Sequence, residues 1–328
     1  QNCSALYRSA DHGVSWAMAY GNIPGMALPI PQSTSTTPDV AETRVYNFAS
    51  TATPNDPGNF SIFSSVWLDS AVAGIQRVGA ESFDVPMTGF PPMAGGPAAS
   101  GNVILLAGVS PPTHVGTFYG RLRNSTQSCH PYEGAQAPPW PGCESAFFAS
   151  STDAGRSWRY RSHIDWTPSM SEKAEGVTES SITQLRNGTL LSIFRLQSNL
   201  PLYKSFSTDN AKSWSPPEQT ATWAVYPQLR TLPNGVVVLA SGRPGLGFWS
   251  NYAGDGVEWE FHNLCAVHNQ LLLESGSGKP TGVKNRSAYL YQPTELRVQN
   301  HSSPGTWPPQ TKAYLGMVLL DETELACR

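Results

Sequence analysis

The chain has 328 residues, a formal net charge of −3 and only 14% charged residues. That balance supplies no basic surface for nucleic acid or for an anionic membrane. The longest apolar runs, Asn102–Val109 and Gly235–Ala240, are far too short to span a bilayer. Short runs of Val, Ile, Phe, Tyr and Trp alternate with Gly, Pro, Asn and Ser clusters, and helical periodicity is nearly absent. The pattern predicts an all-β chain.

In chain order, Gln1 opens the sequence without Met, which reads as the trace of a removed leader. Asn2–Trp16 is predicted as one strand running into the octet Ser9–Trp16, SADHGVSW. The octet recurs as STDAGRSW at Ser151–Trp158 and as STDNAKSW at Ser207–Trp214, where Ala211 stands in the Gly position; a worn copy, YAGDGVEW, ends at Trp259. In such a stretch the Asp carboxylate caps turn amides, the Gly takes a φ that a β-carbon resists, and the Trp packs between sheets. Asp11, Asp153 and Asp209 are therefore expected to form turns rather than to do chemistry. After the strand RVYNFAS a loop, TPNDPGNF, carries Asp56.

The stretch Glu179–Arg195, ESSITQLRNGTLLSIFR, is predicted as a β-hairpin, because Asn-Gly between two apolar runs is the strongest short hairpin signal. Folding there brings Glu179 and Arg195 to the same end. A strict two-residue loop would place Arg195 opposite Ser180, so aiming Glu179 and Arg195 together needs a three-residue loop or a bulge. The next segment, VYPQLRTLPNGVVVLASGR, repeats the strand–turn–strand plan and ends in Arg243. Asn263–Gln310 has a poor signal. Ala313–Arg328 then reads as two strands without a third and fourth, while Asn2–Trp16 reads as a third strand and octet without a first and second. Both chain ends are expected to complete one sheet, which would remove an open edge.

The octet S-x-D-x-G-x-x-W, together with E…L-x-(D/N)-G-x-L…R over Glu179–Arg195, resembles the Asp-box (BNR) repeats of the sialidase, or neuraminidase, family. The likeness covers nearly the whole chain as architecture and Thr178–Gly245 closely as motif. It implies an all-β, six-bladed β-propeller in one domain over residues 1–328, with the last blade closed by both termini. In that fold the starts of first strands and the ends of second strands share one face. The resemblance assigns Glu179 as base for a tyrosine, Tyr314 (in KAYLGM) as nucleophile, Arg195 and Arg243 as grips for a substrate carboxylate, and Asp56 as acid/base.

The residue types fit that chemistry. A sialic acid bears a carboxylate on its anomeric carbon, which planar guanidiniums hold bidentately. A carboxylate nucleophile would be repelled there, whereas a phenol is neutral at rest and needs only a base. One departure stands out. Where sialidases carry an Arg in an R-I-P motif, this chain reads MALPIPQ at Met26–Gln32, with no Arg, and a missing charge-assisted pair is worth about 1.5–3 kcal/mol.

Two readings follow: a retaining, cofactor-free glycoside hydrolase acting on sialylated or related acidic glycans, or an impaired propeller kept as a glycan-binding or structural protein. Sequons at Asn2, Asn59, Asn124, Asn187, Asn285 and Asn300 point in either case to a secreted, extracellular glycoprotein. Five Cys fit disulfides with one left over. Blade logic pairs Cys3 with Cys327 across the closing sheet and Cys129 with Cys143 inside a Pro-rich loop, leaving Cys265 free. The Cys lack metal spacing and the seven His form no HxxxH pair, so no metal site is expected.

Overall fold

The computed structural model describes residues 3–8, 17–24, 26–27, 40–52, 59–70, 74–94, 97–123, 125, 128–129, 140–171, 174–197, 200–223, 225–242, 247–263, 289–292 and 295–298. Every helix or strand among them is a strand. β1 (Cys3–Arg8) and β2 (Ala17–Pro24) form an antiparallel hairpin. β3 (Met26–Ala27), β4 (Val40–Ala52), β5 (Phe60–Ser70) and β6 (Gly74–Thr88) follow as an antiparallel meander. Then come β7 (Ala98–Leu105), β8 (His114–Arg121), the short pair β9 (Ser128–Cys129) and β10 (Trp140–Pro141), β11 (Glu144–Ser151) and β12 (Trp158–Ile164). β13 (Thr178–Gln184), β14 (Leu190–Arg195), β15 (Pro201–Ser207) and β16 (Glu218–Trp223) make one four-stranded antiparallel sheet. β17 (Val225–Thr231), β18 (Val237–Gly242), β19 (Gly247–Asn251) and β20 (Glu260–Asn263) make the next, and β21 (Tyr289–Gln292) with β22 (Glu295–Val298) is a last hairpin.

The strand period of two explains how these sheets stack. In β14 every residue is buried, so its LLSIFR run is packed on both faces, with Leu190, Leu191, Ile193 and Phe194 supplying apolar contacts to each. Leu190 and Phe194 enter a cluster with Val115, Phe148, Ile164 and Ile182 on the side of β8 and β11. Leu191 and Ile193 face the other way, into a cluster with Leu229, Val237 and Leu239 of the following sheet. β11 does the same: Ala146 and Phe148 point forward, while Phe147 and Ala149 point back toward Val85, Met87 and Trp158. Each fully buried Leu, Ile or Phe contributes about 1.5–3 kcal/mol. Sheets packed in series face to face are propeller blades.

Polar side chains join the innermost strands. Asn102 of β7 accepts from Ile182 N at 2.9 Å and from Ser181 Oγ at 3.0 Å, and donates to Ile182 O at 2.7 Å. Ser181 Oγ accepts in turn from Leu229 N of β17 at 2.9 Å, and Thr183 Oγ1 accepts from Thr231 N at 3.0 Å. β7, β13 and β17 therefore lie side by side as the first strands of three successive blades.

The octets form closed turns. Asp153 accepts from Ser157 N at 2.9 Å, Ser157 Oγ at 2.6 Å and Ser151 Oγ at 2.6 Å. Asp209 repeats this with Ser213 N, Ser213 Oγ and Ser207 Oγ at 2.9, 2.6 and 2.9 Å, and adds Lys212 N at 3.0 Å. Ala211 holds φ of 64° where Gly155 holds 79°, at a left-handed cost of roughly 1–2 kcal/mol. Trp214 leaves its own blade to stack on Phe148, with ring centroids 4.3 Å apart, and donates to Ser162 Oγ at 3.0 Å. The worn copy differs from its octet reading. Asn251, one residue before it, replaces the capping Ser and accepts from Gly256 N at 2.9 Å, while its amide donates to Asp255 Oδ1 at 2.9 Å.

Two further outcomes bear on the expected blades. β6 and β12 pair in parallel at Met87–Trp158 and Thr88–Arg159, which fuses the first two meanders into one curled eight-stranded sheet. Two edge strands with unpaired amides have found each other. Cys129 and Cys143 are joined as a disulfide with Cα atoms 5.1 Å apart. Cys327, Cys265 and the last blade's expected strands at Ala313–Arg328 lie outside the described residues, as does the side chain of Cys3.

Candidate functional site

The Glu179–Arg195 hairpin turns through three residues, Arg186-Asn187-Gly188. Leu185 N donates to Thr189 O at 2.8 Å, Gly188 N to Leu185 O at 2.9 Å, and Gly188 sits at φ of 88°, the geometry of a type I turn closed by a left-handed glycine. From that turn the register runs Gln184–Leu190 to Ser181–Ile193, then slips by one residue so that Thr178 faces Arg195. The slip is a bulge at Glu179 and Ser180, where Glu179 takes φ of 42°. Thr117 Oγ1 fixes it by donating to Ser180 O at 2.9 Å. Both devices anticipated from the parity of the hairpin are present.

At the open end, Arg195 is buried with its guanidinium between two carboxylates. Nε lies 2.9 Å from Glu179 Oε2 and Nη2 lies 2.8 Å from Glu175 Oε2. Glu179 Oε2 also accepts from Tyr226 N at 2.8 Å, so one oxygen of this carboxylate is anchored twice. Oε1 has no partner among the described residues.

A third carboxylate is pressed against this segment. Glu144 N donates to Glu175 O at 3.1 Å and Val177 N donates to Glu144 O at 2.7 Å. Gly176, at φ of 114°, makes the crossing possible, since a Cβ there would lie 2.3 Å from Glu144 N and O. Glu144 pairs with Arg121 Nε at 2.9 Å. Burial pushes its carboxyl up, and Glu175 adds to this against the opposing pull of Arg121. Burial also pushes the phenols of Tyr119 and Tyr226 up; Glu144 and Glu179 add to it at Tyr119, Glu179 and Tyr119 at Tyr226. Both tyrosines thus stay neutral and proton-bearing.

Of the residues assigned from sequence, Glu179 and Arg195 are brought into direct contact. Arg243, Tyr314 and Asp56 lie outside the described residues, as do Asn2, Asn124, Asn285 and Asn300. Asn187 is exposed in the turn at the opposite end of the hairpin, and Asn59 is half-buried before β5. Phe248 is buried in a cluster with Val236 and Val238, and Trp249 packs against another that includes Leu229, Val237 and Leu239. Sequence reading missed Glu175, Glu144, Tyr119 and Tyr226. The last was legible: aligning Asn187-Gly188 with Asn234-Gly235 sets Tyr226 at the position of Glu179. Among the described residues no three His, Cys, Asp or Glu side chains group to hold a metal ion, and no helix is long and apolar enough to cross a membrane.

No protein-family model matches the chain, and no curated protein matches it in sequence. In structure it is similar to a protein of unknown function from Dyadobacter fermentans, with a TM-score of 0.50 and 15% identity over 79% of this chain and 71% of that one. It is also similar to a Hadza microbial sialidase (TM-score 0.48, 13% identity, 79% of this chain and 52% of that one). An α-L-arabinofuranosidase from Fusarium graminearum gives 0.47 and 14% over 79% and 72%. The chain spans about half the length of that sialidase. At these identities the likeness is one of fold. With the blades described above, the fold is that of a β-propeller.

Proposed function

We propose that the chain is a sialidase-like glycoside hydrolase, retaining, acting on terminal sialic-acid-type sugars at the face that carries Glu179 and Arg195. The observation that carries this reading is the division of labour within the Glu179 carboxylate. Oε2 is held by Arg195 Nε and Tyr226 N at 2.9 and 2.8 Å, while Oε1, without a partner among the described residues, is the oxygen we assign to take a phenol proton. In the proposed mechanism Glu179 is the base for Tyr314, and Tyr314 attacks the anomeric carbon. Asp56 protonates the leaving oxygen and later activates water. Arg195 and Arg243 hold the substrate carboxylate.

The Cys129–Cys143 disulfide supports the further proposal of a secreted, glycosylated protein matured in an oxidising compartment. A second reading, a glycan-binding propeller without turnover, is favoured by one observation: Arg195 is already engaged by two carboxylates at 2.8 and 2.9 Å. Turnover of a fluorogenic sialoside by the purified chain, abolished in Tyr314→Phe and Glu179→Gln, is the expected result. Sialoside binding without turnover would select the second reading.

A further inference from the structure

We propose that Tyr226, with Tyr119 beside it, is a substrate-contacting residue of this site. Its phenol hydroxyl bonds a hydroxyl group of the sugar held against Glu179 and Arg195. The inference rests on the sialidase-like reading for the identity of that sugar, a polyhydroxylated acidic monosaccharide.

Backbone geometry singles Tyr226 out. It takes φ of 54° at a slip in the β17–β18 register between Val225 and Gln228, the counterpart of the bulge that holds Glu179 at 42°. A bulky residue in the left-handed region is a genuine outlier, costing on the order of 1–3 kcal/mol. Such conformations persist where the surroundings over-determine them, and they gather at ligand sites. Here the bend presents Tyr226 N to Glu179 Oε2 at 2.8 Å, which places the aromatic residue against the anchored carboxylate.

Its surroundings are unlike those of a packing tyrosine. Tyr160, Tyr203 and Tyr252 each belong to or pack against an apolar cluster. Tyr119 and Tyr226 are in none of the apolar clusters formed by the described residues, and both are half-buried. After burial, charged neighbours act on them: Glu179 on both phenols, Glu144 and Glu175 on Tyr119, and Arg195 on Tyr119 in the opposite sense. Next to anions a phenol keeps its proton and serves as a donor. Two phenol hydroxyls and the Glu179 carboxylate are thus neighbours at this end of the hairpin, donor and acceptor types that suit sugar hydroxyls.

The test compares the parent chain with Tyr226→Phe and Tyr119→Phe, which keep the ring and remove one hydroxyl each. Binding of methyl α-sialoside is followed by saturation-transfer NMR, turnover of 4-methylumbelliferyl α-sialoside by fluorescence, and folding by thermal melting. Tyr226→Phe should weaken binding about tenfold, the loss of one hydrogen bond. It should raise KM far more than it lowers kcat and leave melting unchanged. Parental affinity in Tyr226→Phe would overturn the assignment while leaving the hydrolase reading intact. Binding by the parent without turnover would overturn the hydrolase reading, and Tyr226 would be judged by its effect on affinity alone. A parent that binds no sialoside would overturn both.

Discussion

The third and fourth blades, β13–β16 and β17–β20, are built on one plan and finished differently. Both first hairpins turn through three residues ending in a left-handed glycine, Gly188 at 88° and Gly235 at 89°. Both slip by one residue near the opposite end, at Glu179–Ser180 and at Tyr226–Pro227. The third blade puts a carboxylate at the slip and an arginine across from it; the fourth puts a phenol there, with Gly242 opposite the neighbouring Val225. A shared scaffold thus aims unlike side chains at one place. The bulge is a property of the repeat, and the chemistry belongs to the residue that occupies it.

The largest break in that comparison should come from Gly176, which leads into the third blade. Gly176→Ala places a Cβ 2.3 Å from Glu144 backbone atoms at φ of 114°. Backbone cannot yield as a flexible side-chain end can, so left-handed strain and overpacking add to about 2–5 kcal/mol. Urea denaturation should report this loss, along with weakened coupling of Glu144 to Glu175. A cost below about 1 kcal/mol would mean that the crossing is not tight.

Glu179→Gln tests the acid half. Its amide keeps shape but loses the charge that meets Arg195 and Tyr226 N, leaving Glu175 as the remaining carboxylate on Arg195. A stability loss of about 2 kcal/mol is expected, because the arginine is buried but not stranded. Sialoside turnover should fall with it, whereas Tyr226→Phe in the neighbouring blade should spare stability.

The octet turns supply a pH test. Burial alone would lift Asp209, but hydrogen bonds from Ser213 Oγ and N, Ser207 Oγ and Lys212 N outweigh it and hold the carboxyl down to about 2. A depressed folded value makes this contribution complete above the ordinary carboxylate value of 3.8 and lost as pH falls from about 4 through about 2. Asp153 is lowered by the same kind of partners. Denaturation between pH 6 and pH 2 should show Asp209→Asn costing about 1–2 kcal/mol at pH 6, because a neutral amide oxygen accepts these bonds more weakly than a carboxylate. The gap to the parent should close near pH 2; a constant gap would contradict the assignment.

How much of this was legible follows from what sequence can encode. The hairpin, its parity problem, the Asp turns and the Cys129–Cys143 bridge rest on local patterns, and local patterns are what a period of two and an Asn-Gly turn report. Asp209 needed only its own eight residues. Glu144 and Glu175 meet through a crossing between β11 and the lead-in to β13, distant in sequence, that depends on Gly176 lacking a side chain. No periodicity records that. Tyr226 lies between these cases, visible only once the two blades are aligned on their turns. The fourth blade's octet went astray because Asn251 moved the cap one residue earlier than the pattern allows.

The smallest difference lies between the two turns, where the blades should be hardest to tell apart. At Gly188 an added Cβ meets nothing within 4 Å, so Gly188→Ala should cost only the left-handed term, about 1–2 kcal/mol. At Gly235 the same Cβ would lie 2.1 Å from Arg186 Nε and 2.5 Å from its Cδ and Cζ. Arg186 belongs to the third blade's turn and donates from Nη2 to Pro233 O at 3.0 Å, so it bridges the two turns. It is a flexible side chain at an exposed position and can swing aside, giving up that hydrogen bond, worth about 0.5–1 kcal/mol. Gly235→Ala should therefore exceed Gly188→Ala by about that amount in urea denaturation. In an Arg186→Ala background the excess should vanish, because the obstacle and the bond are both gone. An excess that survives there would place the fourth blade's extra sensitivity in its own backbone and not in the contact between blades.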